Sequence, residues 1–347
     1  MTPAPTPPTP TSLRAEGIAL AAVLALAATL RFLGIGWSLP SLFEEATPFR
    51  TAWEMWGFAP LRHFDLNPHW FTYPSLIFYL QMAGQALTFG LLRLLGGAHS
   101  LLDLRVRFFT DPTPYVLVAR SITALFGAAT VLPAWSIARR AGGPWAAALA
   151  AMVVALHPDL IAKSQVIEVD VPLAFFMALA VDRMLAARDS AGLGRWIVAG
   201  VVAGLATASK YPGLVLVAPL AVAAWWPRPE PGPVSAAARP AGRRATNAKT
   251  PRATGGGGAP LRFAAALAAL GLTFLITSPF VVLDWATARQ QMEQARDLMT
   301  KGHFGVAAGS AYATYAHDWF ARLVGWPLGF ASLAAILFFS LRRKPWA

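Results

Sequence analysis

The chain contains no cysteine and few charged residues. Without cysteine in its 347 residues, it can form neither a disulfide nor a thiolate metal site. Charged residues make up 13% of the chain, against roughly 25% in soluble domains. Hydrophobic residues make up 56%. This balance excludes an ordinary soluble domain and predicts a protein that resides in a membrane.

Long apolar runs supply the fold class. Several contain about 20 residues, enough to cross a hydrocarbon core of about 30 Å. They cover residues 17–35, 75–95, 114–138, 144–158, 171–187, 195–208, 211–226, 262–283 and 319–341. The first is too long for a signal-peptide core and lacks a convincing cleavage site, so we expect a retained helix. The sequence predicts an all-α polytopic membrane protein.

Acidic residues are scarce, 17 against 29 basic ones, which gives a net charge of +12. The basic residues cluster in short segments between apolar runs, which indicates membrane orientation rather than a nucleic-acid partner. These segments are Arg139–Arg140, Arg183–Arg195, the loop 227–261 and Arg342–Lys344. The positive-inside rule assigns all four to the cytoplasm.

The four basic groups share one side only if one apolar segment does not cross the membrane. Segment 75–95 is the candidate, because Gln81, Gly84 and Gln85 interrupt it. We therefore predict about eight crossings, cytoplasmic termini and an outer interfacial helix. Loop residues 36–113, 159–170, 209–211 and 284–318 then share the outer, periplasmic face of a bacterial-type inner membrane.

Composition predicts the domain organisation. Residues 1–16 are rich in Pro and Thr, and residues 227–261 in Pro, Gly, Ala and Arg, so both are predicted to be disordered and cytoplasmic. Between them lies a membrane core, 17–226. After the linker come membrane helices over 262–341, with an outer loop at 284–318, and a cytoplasmic tail at 342–347.

Two carboxylate positions are candidates for catalysis. Glu44 and Glu45 follow the first apolar segment, and one could act as a base or metal ligand while its neighbour braces the loop. Two solvated loop acids are the alternative. Asp170 directly precedes an apolar segment, where a carboxylate can simply cap a helix. Ionisable groups so near the hydrocarbon are also functional candidates.

Lys210 interrupts two apolar half-segments. In the membrane centre a lysine costs about 2.5–3.5 kcal/mol on insertion scales. At the outer tip of a hairpin the cost is far smaller, and the ammonium group could bind a phosphate. Snorkelling without function is the alternative.

The outer segments also contain aromatic and histidine residues. Trp70 and Tyr73 suit either interfacial anchoring or a platform for lipid or sugar. His63, Asp65 and His69 lack recognised zinc spacing and lie beside a turn sequence. A further group is interpreted as ordinary surface loop: Asp284, His303, His317 and Asp318.

Taken in order, these residues resemble the phospholipid-carrier-dependent glycosyltransferases, the family 39 and protein O-mannosyltransferase group of the GT-C superfold. The resemblance covers about residues 17–340. It is carried by Glu44–Glu45, Leu66–Leu80, Arg120, Arg139–Gly142, His157–Asp170, Ser209–Gly213, Ser278–Asp284 and Gly302–Gly305. Two features depart from the family pattern: its acidic pair is usually Asp-Glu, and its members usually continue with further membrane helices.

The resemblance implies a GT-C-like bundle that transfers a sugar from a polyprenyl-phosphate donor to a glycan, lipid or protein acceptor. Glu44, Glu45 or Asp170 would orient or deprotonate the acceptor hydroxyl. Lys210, followed by Arg62 and Lys163, would bind the donor phosphate. A divalent metal, Mg²⁺ or Mn²⁺, is left open, with Glu45 and Asp170 as its ligands.

Two other functions are weighed against this one. A transporter or flippase would place charged groups near the bilayer midplane, often on broken helices in inverted repeats. No repeat is visible, and the acids cluster in outer loops, which favours the enzyme. A truncated, inactive relative acting as a scaffold is the other alternative.

Overall fold

A computed structural model describes residues 10–40, 46–58, 63–189, 192–226 and 258–301, together with 317, 325, 329–330 and 333–334. Over this part of the chain every regular element is helical. The prediction of an all-α polytopic membrane protein is confirmed. The prediction of a disordered N-terminus is wrong for residues 10–16, which begin the first helix, and the end of the predicted linker is helical from Ala259. Residues 1–9, residues 227–257 and the C-terminal tail lie outside the described residues.

Helices cover most of the predicted apolar segments up to residue 283, and four more lie in stretches predicted as loops: Ala46–Met55, Leu101–Thr110, Pro158–Ser164 and Trp285–Lys301. In chain order they are α1 (Pro10–Phe32), α2 (Ala46–Met55), α3 (Leu76–Leu94), α4 (Leu101–Thr110), α5 (Thr113–Ala129), α6 (Val131–Leu156), α7 (Pro158–Ser164), α8 (Asp170–Arg188), α9 (Leu193–Ser209), a 3₁₀ helix (Tyr211–Leu216), α10 (Val217–Trp225), α11 (Ala259–Thr277), α12 (Phe280–Leu283) and α13 (Trp285–Lys301).

In the described part of the chain, three helical stretches are long and apolar enough to cross a membrane by length and composition. They are Leu13–Phe32, Thr113–Leu156 and Ala259–Thr277. Two apolar stretches are shorter, Leu193–Ser209 and Tyr211–Trp225. Long apolar runs become helices because lipid offers no partner for backbone polar groups, which a helix satisfies internally. The number of crossings stays a prediction.

The long stretch Thr113–Leu156 turns back on itself. Gly143 has φ 77° and ψ −166°, non-helical angles inside α6, and Pro144 follows it. Glycine is suited to this left-handed φ because it has no Cβ, and proline begins the next helical run without needing its missing N–H. The turn lies between the predicted segments 114–138 and 144–158, directly after Arg139 and Arg140.

Contacts along α1 establish the register of the bundle. Glu16 near its start pairs with Arg139 at 2.6 Å, whereas Arg120 donates to the carbonyl of Ile35, just beyond its end. The stretch from α5 to Gly143 therefore runs antiparallel to α1. We call the side with Arg139, Arg140 and Arg183 the arginine end. The opposite side, with Asp65–Ser75, Asp170 and Lys210, is the loop end.

Two fully buried arginines, Arg31 and Arg120, donate hydrogen bonds to backbone carbonyls at or near helix ends. Arg31 donates to the carbonyls of Val154 and Ala155 at 2.9 and 3.3 Å, two of the last carbonyls of α6 that lack intrahelical partners. Arg120 donates to Ile35 and Trp37 at 2.8 and 2.9 Å. Its guanidinium also lies 4.9 Å from the ring centroid of Trp37. Arg31 therefore joins the end of α1 to the end of α6, and Arg120 joins α5 to the residues that follow α1.

Glycines allow α9 and α11 to pack backbone against backbone. A Cβ on Gly200 would lie 2.1 Å from the Ala266 carbonyl oxygen, and one on Gly204 would lie 2.7 Å from that of Leu270. Small residues four apart permit such close approach in membranes. These helices border the largest buried cluster, which includes Trp196, Leu216 and Leu220.

At the loop end, α3 crosses the first half of α5. Gln81 donates to the Ala119 carbonyl at 3.5 Å, and Gln85 donates to Phe49 of α2 at 3.0 Å. A second buried cluster joins these elements to α4 and is rich in aromatics, including Phe49, Trp53 and Tyr115. The polar residues predicted to interrupt segment 75–95 thus bind neighbouring backbone.

A second compact unit begins at Trp285. Its helix α13 is polar, with an ion pair between Arg289 and Glu293 at 2.9 Å. The predicted last membrane segment, 319–341, lies largely outside the described residues.

Candidate functional site

An ion pair between Asp170 and Lys210 is the centre of the candidate site. The Lys210 ammonium nitrogen lies 2.6 Å from Asp170 Oδ1 and 5.7 Å from the ring centroid of Tyr73. The Lys210 side chain is 26% exposed and that of Asp170 is 55% exposed. The charges are therefore accessible from outside, although the lysine is the more enclosed partner.

Helix boundaries position the two charges. Asp170 is the first residue of α8, with Val169 as the N-cap, so its carboxylate also faces the positive end of the helix dipole. Lys210 follows α9 in an extended conformation, φ −159° and ψ 138°, before the 3₁₀ helix begins. This break matches the predicted hairpin tip. Asp170 thus begins a helix and also forms an ion pair with Lys210, so the two interpretations offered by the sequence are compatible.

The segment Asp65–Ser75, which contains Tyr73, is held by hydrogen bonds at three places. Asn67 Nδ2 donates to Asp284 Oδ2 at 2.9 Å. The Tyr211 hydroxyl donates to the Phe71 carbonyl at 2.9 Å. The Ser75 amide donates to Ser278 Oγ at 3.0 Å. Because these tethers lie on both sides of Tyr73, they fix its ring near Lys210.

Within this segment His69 lies between two carboxylates. Its Nε2 is 3.0 Å from Asp65 Oδ2 and its Nδ1 is 3.6 Å from Asp284 Oδ2. Asp65 Oδ1 accepts from the Asn67 amide at 2.8 Å. That backbone hydrogen bond, followed by the one to His69, lowers the pKa of Asp65 below its ordinary value. The carboxylate is thereby held in its charged form.

The described residues do not form a metal site. No three His, Asp or Glu side chains among them are grouped to hold a metal ion. Asp170 already faces the ammonium of Lys210, which disfavours a second cation there. The predicted Mg²⁺ or Mn²⁺ would depend on Glu45 and stays a prediction.

Several predicted site residues lie outside the described part of the chain. These are Glu44, Glu45, Arg62, His303 and Asp318. Of those described, Lys163 pairs with Glu168 at 2.7 Å, and hydrogen bonding to that carboxylate raises the pKa of Lys163. Trp70 is 41% exposed, and His63 and His317 are exposed.

Two features of the structure were missed from the sequence. Asp284, interpreted as a surface-loop residue, binds Asn67 across 217 positions. Asp182, in α8, is fully buried at the arginine end, where it accepts from Ser136 at 2.5 Å and pairs with Arg183. An acidic residue within an apolar run was the sequence feature that could have indicated Asp182. No residue near Asp284 in the sequence indicates that Asn67 is its partner.

Comparisons with known proteins bear on the stretch that contains Asp170 and Lys210. Residues 115–230, about a third of the chain, match the family described as dolichyl-phosphate-mannose-protein mannosyltransferase. The predicted family resemblance is confirmed. A mannosyltransferase of this kind from Saccharomyces cerevisiae, dolichyl-phosphate-mannose–protein mannosyltransferase 1, is 33% identical over 115 residues.

The match to the yeast mannosyltransferase is partial. It covers 31% of this chain and 14% of the yeast protein. The matched family stretch begins within α5 and includes α8 and α9, so it contains both members of the central ion pair. Among solved structures no significant match was found.

Proposed function

We propose that the chain is a membrane glycosyltransferase that transfers a sugar from a polyprenyl-phosphate-linked donor to an acceptor hydroxyl. The supporting observation is the Asp170–Lys210 pair at 2.6 Å, which lies within the mannosyltransferase match. A cation and a carboxylate in contact supply the two charges that this transfer requires. One binds the leaving phosphate and the other accepts a proton.

Substrate groups can replace either partner in the ion pair between Asp170 and Lys210. A donor phosphate that approaches Lys210 competes with Asp170 for the ammonium group. When the phosphate binds, Lys210 balances its negative charge as the sugar–phosphate bond lengthens. Asp170 then loses its partner and becomes available to a hydroxyl group. The ring of Tyr73 forms one wall of this region and offers an apolar face to sugar or isoprenoid.

The transfer forms one bond, breaks another and moves one proton to a carboxylate. The acceptor oxygen forms a bond to the anomeric carbon, and the bond from that carbon to the phosphate oxygen breaks. The phosphate leaves with the bonding electrons, bound to Lys210. The acceptor proton passes to a carboxylate, for which Glu44, Glu45 and Asp170 are the candidates.

We further propose that the reaction takes place at the outer, periplasmic face of a bacterial-type inner membrane. Arg139–Arg140 and Arg183–Arg195, two of the basic segments that the positive-inside rule assigns to the cytoplasm, lie at the arginine end. Asp170, Lys210 and the segment Asp65–Ser75 lie at the other end. A transporter site would instead be expected near the midplane.

Sugar transfer in membranes from a polyprenyl-phosphate-hexose donor tests the proposal. Wild type is compared with Glu44→Gln, Glu45→Gln and Asp170→Asn, with protein levels matched by blotting. Activity in wild type and its loss in Asp170→Asn and in one glutamate variant would support the enzyme and both halves of the site. Transfer that survives all three changes would remove these residues from the mechanism. A wild type inactive with every donor would favour the scaffold alternative.

A further inference from the structure

His69 adopts an uncommon backbone conformation within the segment Asp65–Ser75. Its φ of 49° lies in the left-handed region, which few residues other than glycine adopt, although histidine, asparagine and aspartate do so more often than most. Asn67 Oδ1 accepts from the His69 amide at 3.0 Å, so the side chain of Asn67 supports this turn. Such conformations persist where surrounding contacts fix them, and they cluster at functional sites. Here the conformation accompanies an imidazole ring placed between two carboxylates, one within the segment and one beyond α12.

Both ring nitrogens of His69 face carboxylate oxygens. Nε2 lies 3.0 Å from Asp65 Oδ2, and Nδ1 lies 3.6 Å from Asp284 Oδ2. A neutral imidazole has one N–H group and one lone pair, so it can donate to only one of these carboxylates. Its other nitrogen would then turn a lone pair toward a charged oxygen. An imidazolium has an N–H group on each nitrogen and a positive charge, so it attracts both carboxylates. The geometry therefore favours the protonated ring.

The charges around His69 determine how this contact depends on pH. The titratable groups that interact with His69 or with its partner Asp65 include a carboxylate, a second histidine and a tyrosine: Asp284, His63 and Tyr79. Hydrogen bonds from the Asn67 amide and from His69 lower the pKa of Asp65 below its ordinary value. Asp65 therefore stays charged at mildly acidic pH, whereas histidines lose their proton between about pH 5 and 8. The contact is thus complete at mildly acidic pH and weakens as pH rises, because the ring loses its charge.

The segment continues from His69 to the candidate site. The Phe71 carbonyl accepts from the Tyr211 hydroxyl at 2.9 Å, and the ring centroid of Tyr73 lies 5.7 Å from Lys210 Nζ. His69 is therefore attached only a few residues before the ring that lies beside Lys210. Because this part of the segment is short, loss of the attachment at His69 would give Tyr73 freedom to move away from Lys210.

We propose that the protonated form of His69 is a positioning residue, which attaches the segment Asp65–Ser75 to Asp284 and so holds Tyr73 beside Lys210. When the ring loses its proton, one of its two carboxylate contacts is lost and the segment loosens. Because Tyr73 forms one wall of the proposed donor site, this loosening weakens donor binding. The attachment is independent of the proposed transfer reaction, whereas its effect on the donor rests on that proposed function.

Spin-label mobility tests the attachment, since the chain has no cysteine and an introduced one is unique. Trp70→Cys, next to His69 and 41% exposed in the unchanged chain, is labelled in the full chain, in vesicles of phosphatidylcholine and phosphatidylglycerol. Spectra are recorded at about pH 5.5 and about pH 8.5, near the two ends of histidine titration. The same label is measured with His69→Asn, because asparagine also tolerates the left-handed φ but has no imidazolium to bridge two carboxylates. His99→Asn, at an exposed histidine in another loop, is the matched control.

With His69 present, we expect the label to be severalfold more mobile at the higher pH than at the lower pH. With His69→Asn it should be mobile at both, and with His99→Asn it should respond as with both histidines present. Equal mobility at both pH values with His69 present would overturn the proposal, and so would a pH response that persists in His69→Asn. Amide hydrogen exchange over Asn67–Ser75 in the unlabelled chain, corrected for the intrinsic pH dependence of exchange, gives the same comparison without a change at Trp70. It decides the outcome if the label itself loosens the segment.

Donor kinetics separate this inference from the proposed function. In His69→Asn the KM for a polyprenyl-phosphate-hexose donor should rise severalfold at the lower pH, to the value that wild type reaches at the higher pH, with a smaller change in kcat. An active wild type whose donor KM and segment mobility do not depend on His69 would refute the inference and leave the proposed function standing. If wild type transfers no sugar, the proposed function fails, and the label and exchange data still decide the attachment.

Discussion

The ammonium of Lys210 lies 2.6 Å from the carboxylate of Asp170, although 40 positions separate them in the chain. Asp170 begins α8 and Lys210 directly follows α9, so the contact joins these two helices at the loop end. With both side chains partly exposed, this pair contributes little to stability on its own. Its importance for the proposed function is that a donor phosphate could replace Asp170 as the partner of Lys210.

Replacing Lys210 by alanine should abolish most sugar transfer. Loss of a group that stabilises developing negative charge typically lowers the rate about 10²–10³-fold. Lys210→Arg should retain part of the activity, because it keeps the charge with different geometry. Initial rates at saturating donor measure the effect. Arg50→Ala, which removes an exposed ion pair with Glu54 at the same end, should leave the rate nearly unchanged. Equal losses in both alanine variants would contradict a specific role.

Exchanging Asn67 and Asp284 should show whether their hydrogen bond holds the segment Asp65–Ser75. Asn67→Asp alone brings two carboxylates together where a 2.9 Å hydrogen bond now lies, so it should lower the unfolding temperature and increase cleavage of this segment by protease. In Asn67→Asp with Asp284→Asn, an amide again faces a carboxylate, and much of the stability should return. A double-mutant cycle should give a coupling energy of about 1 kcal/mol or more. Strict additivity would argue against the tether.

The glycines between α9 and α11 should be intolerant of even one methyl group. Gly200→Ala places a Cβ against the carbonyl oxygen of Ala266, and since backbone cannot rotate away, the helices must separate. Strain of this kind typically costs about 1–3 kcal/mol. Thermal unfolding in detergent measures it. Gly271→Ala, on α11 but with no atom within 4 Å of the new Cβ, is the matched control and should be neutral or stabilising. Equal stability of both variants would refute the close packing.

Replacing Arg31 by methionine should destabilise the junction of α1 and α6. The change leaves the carbonyls of Val154 and Ala155 without this donor, and hydrogen bonds to charged groups are each worth about 1.5–3 kcal/mol. Relief of burying a charge offsets part of this loss, so we expect a net loss of roughly 2 kcal/mol. Thermal unfolding is the measurement, with Arg14→Met, exposed on the same helix, as the control. A larger loss in the control would contradict the assignment.

Much of the fold could be predicted from the sequence, because run length and lipid solvation act locally. An apolar run must form a helix in lipid whatever surrounds it, and the basic segments between runs indicate orientation. The break at Lys210 was likewise predictable, since a charge between two apolar halves with Pro212 close behind disfavours continuous helix. The order of motifs supplied the family resemblance. For Glu44, Glu45 and Arg62 the predicted roles remain predictions.

The tertiary structure decided which distant side chains meet. Nothing near Asp284 in the chain indicates Asn67, and nothing near Arg31 indicates the end of α6. These pairs depend on how distant segments pack together in three dimensions. Local sequence determined where helices begin and end, because each backbone satisfies its own hydrogen bonds. Only tertiary packing determined which charged groups meet, because the residues that contact each other lie far apart in the sequence.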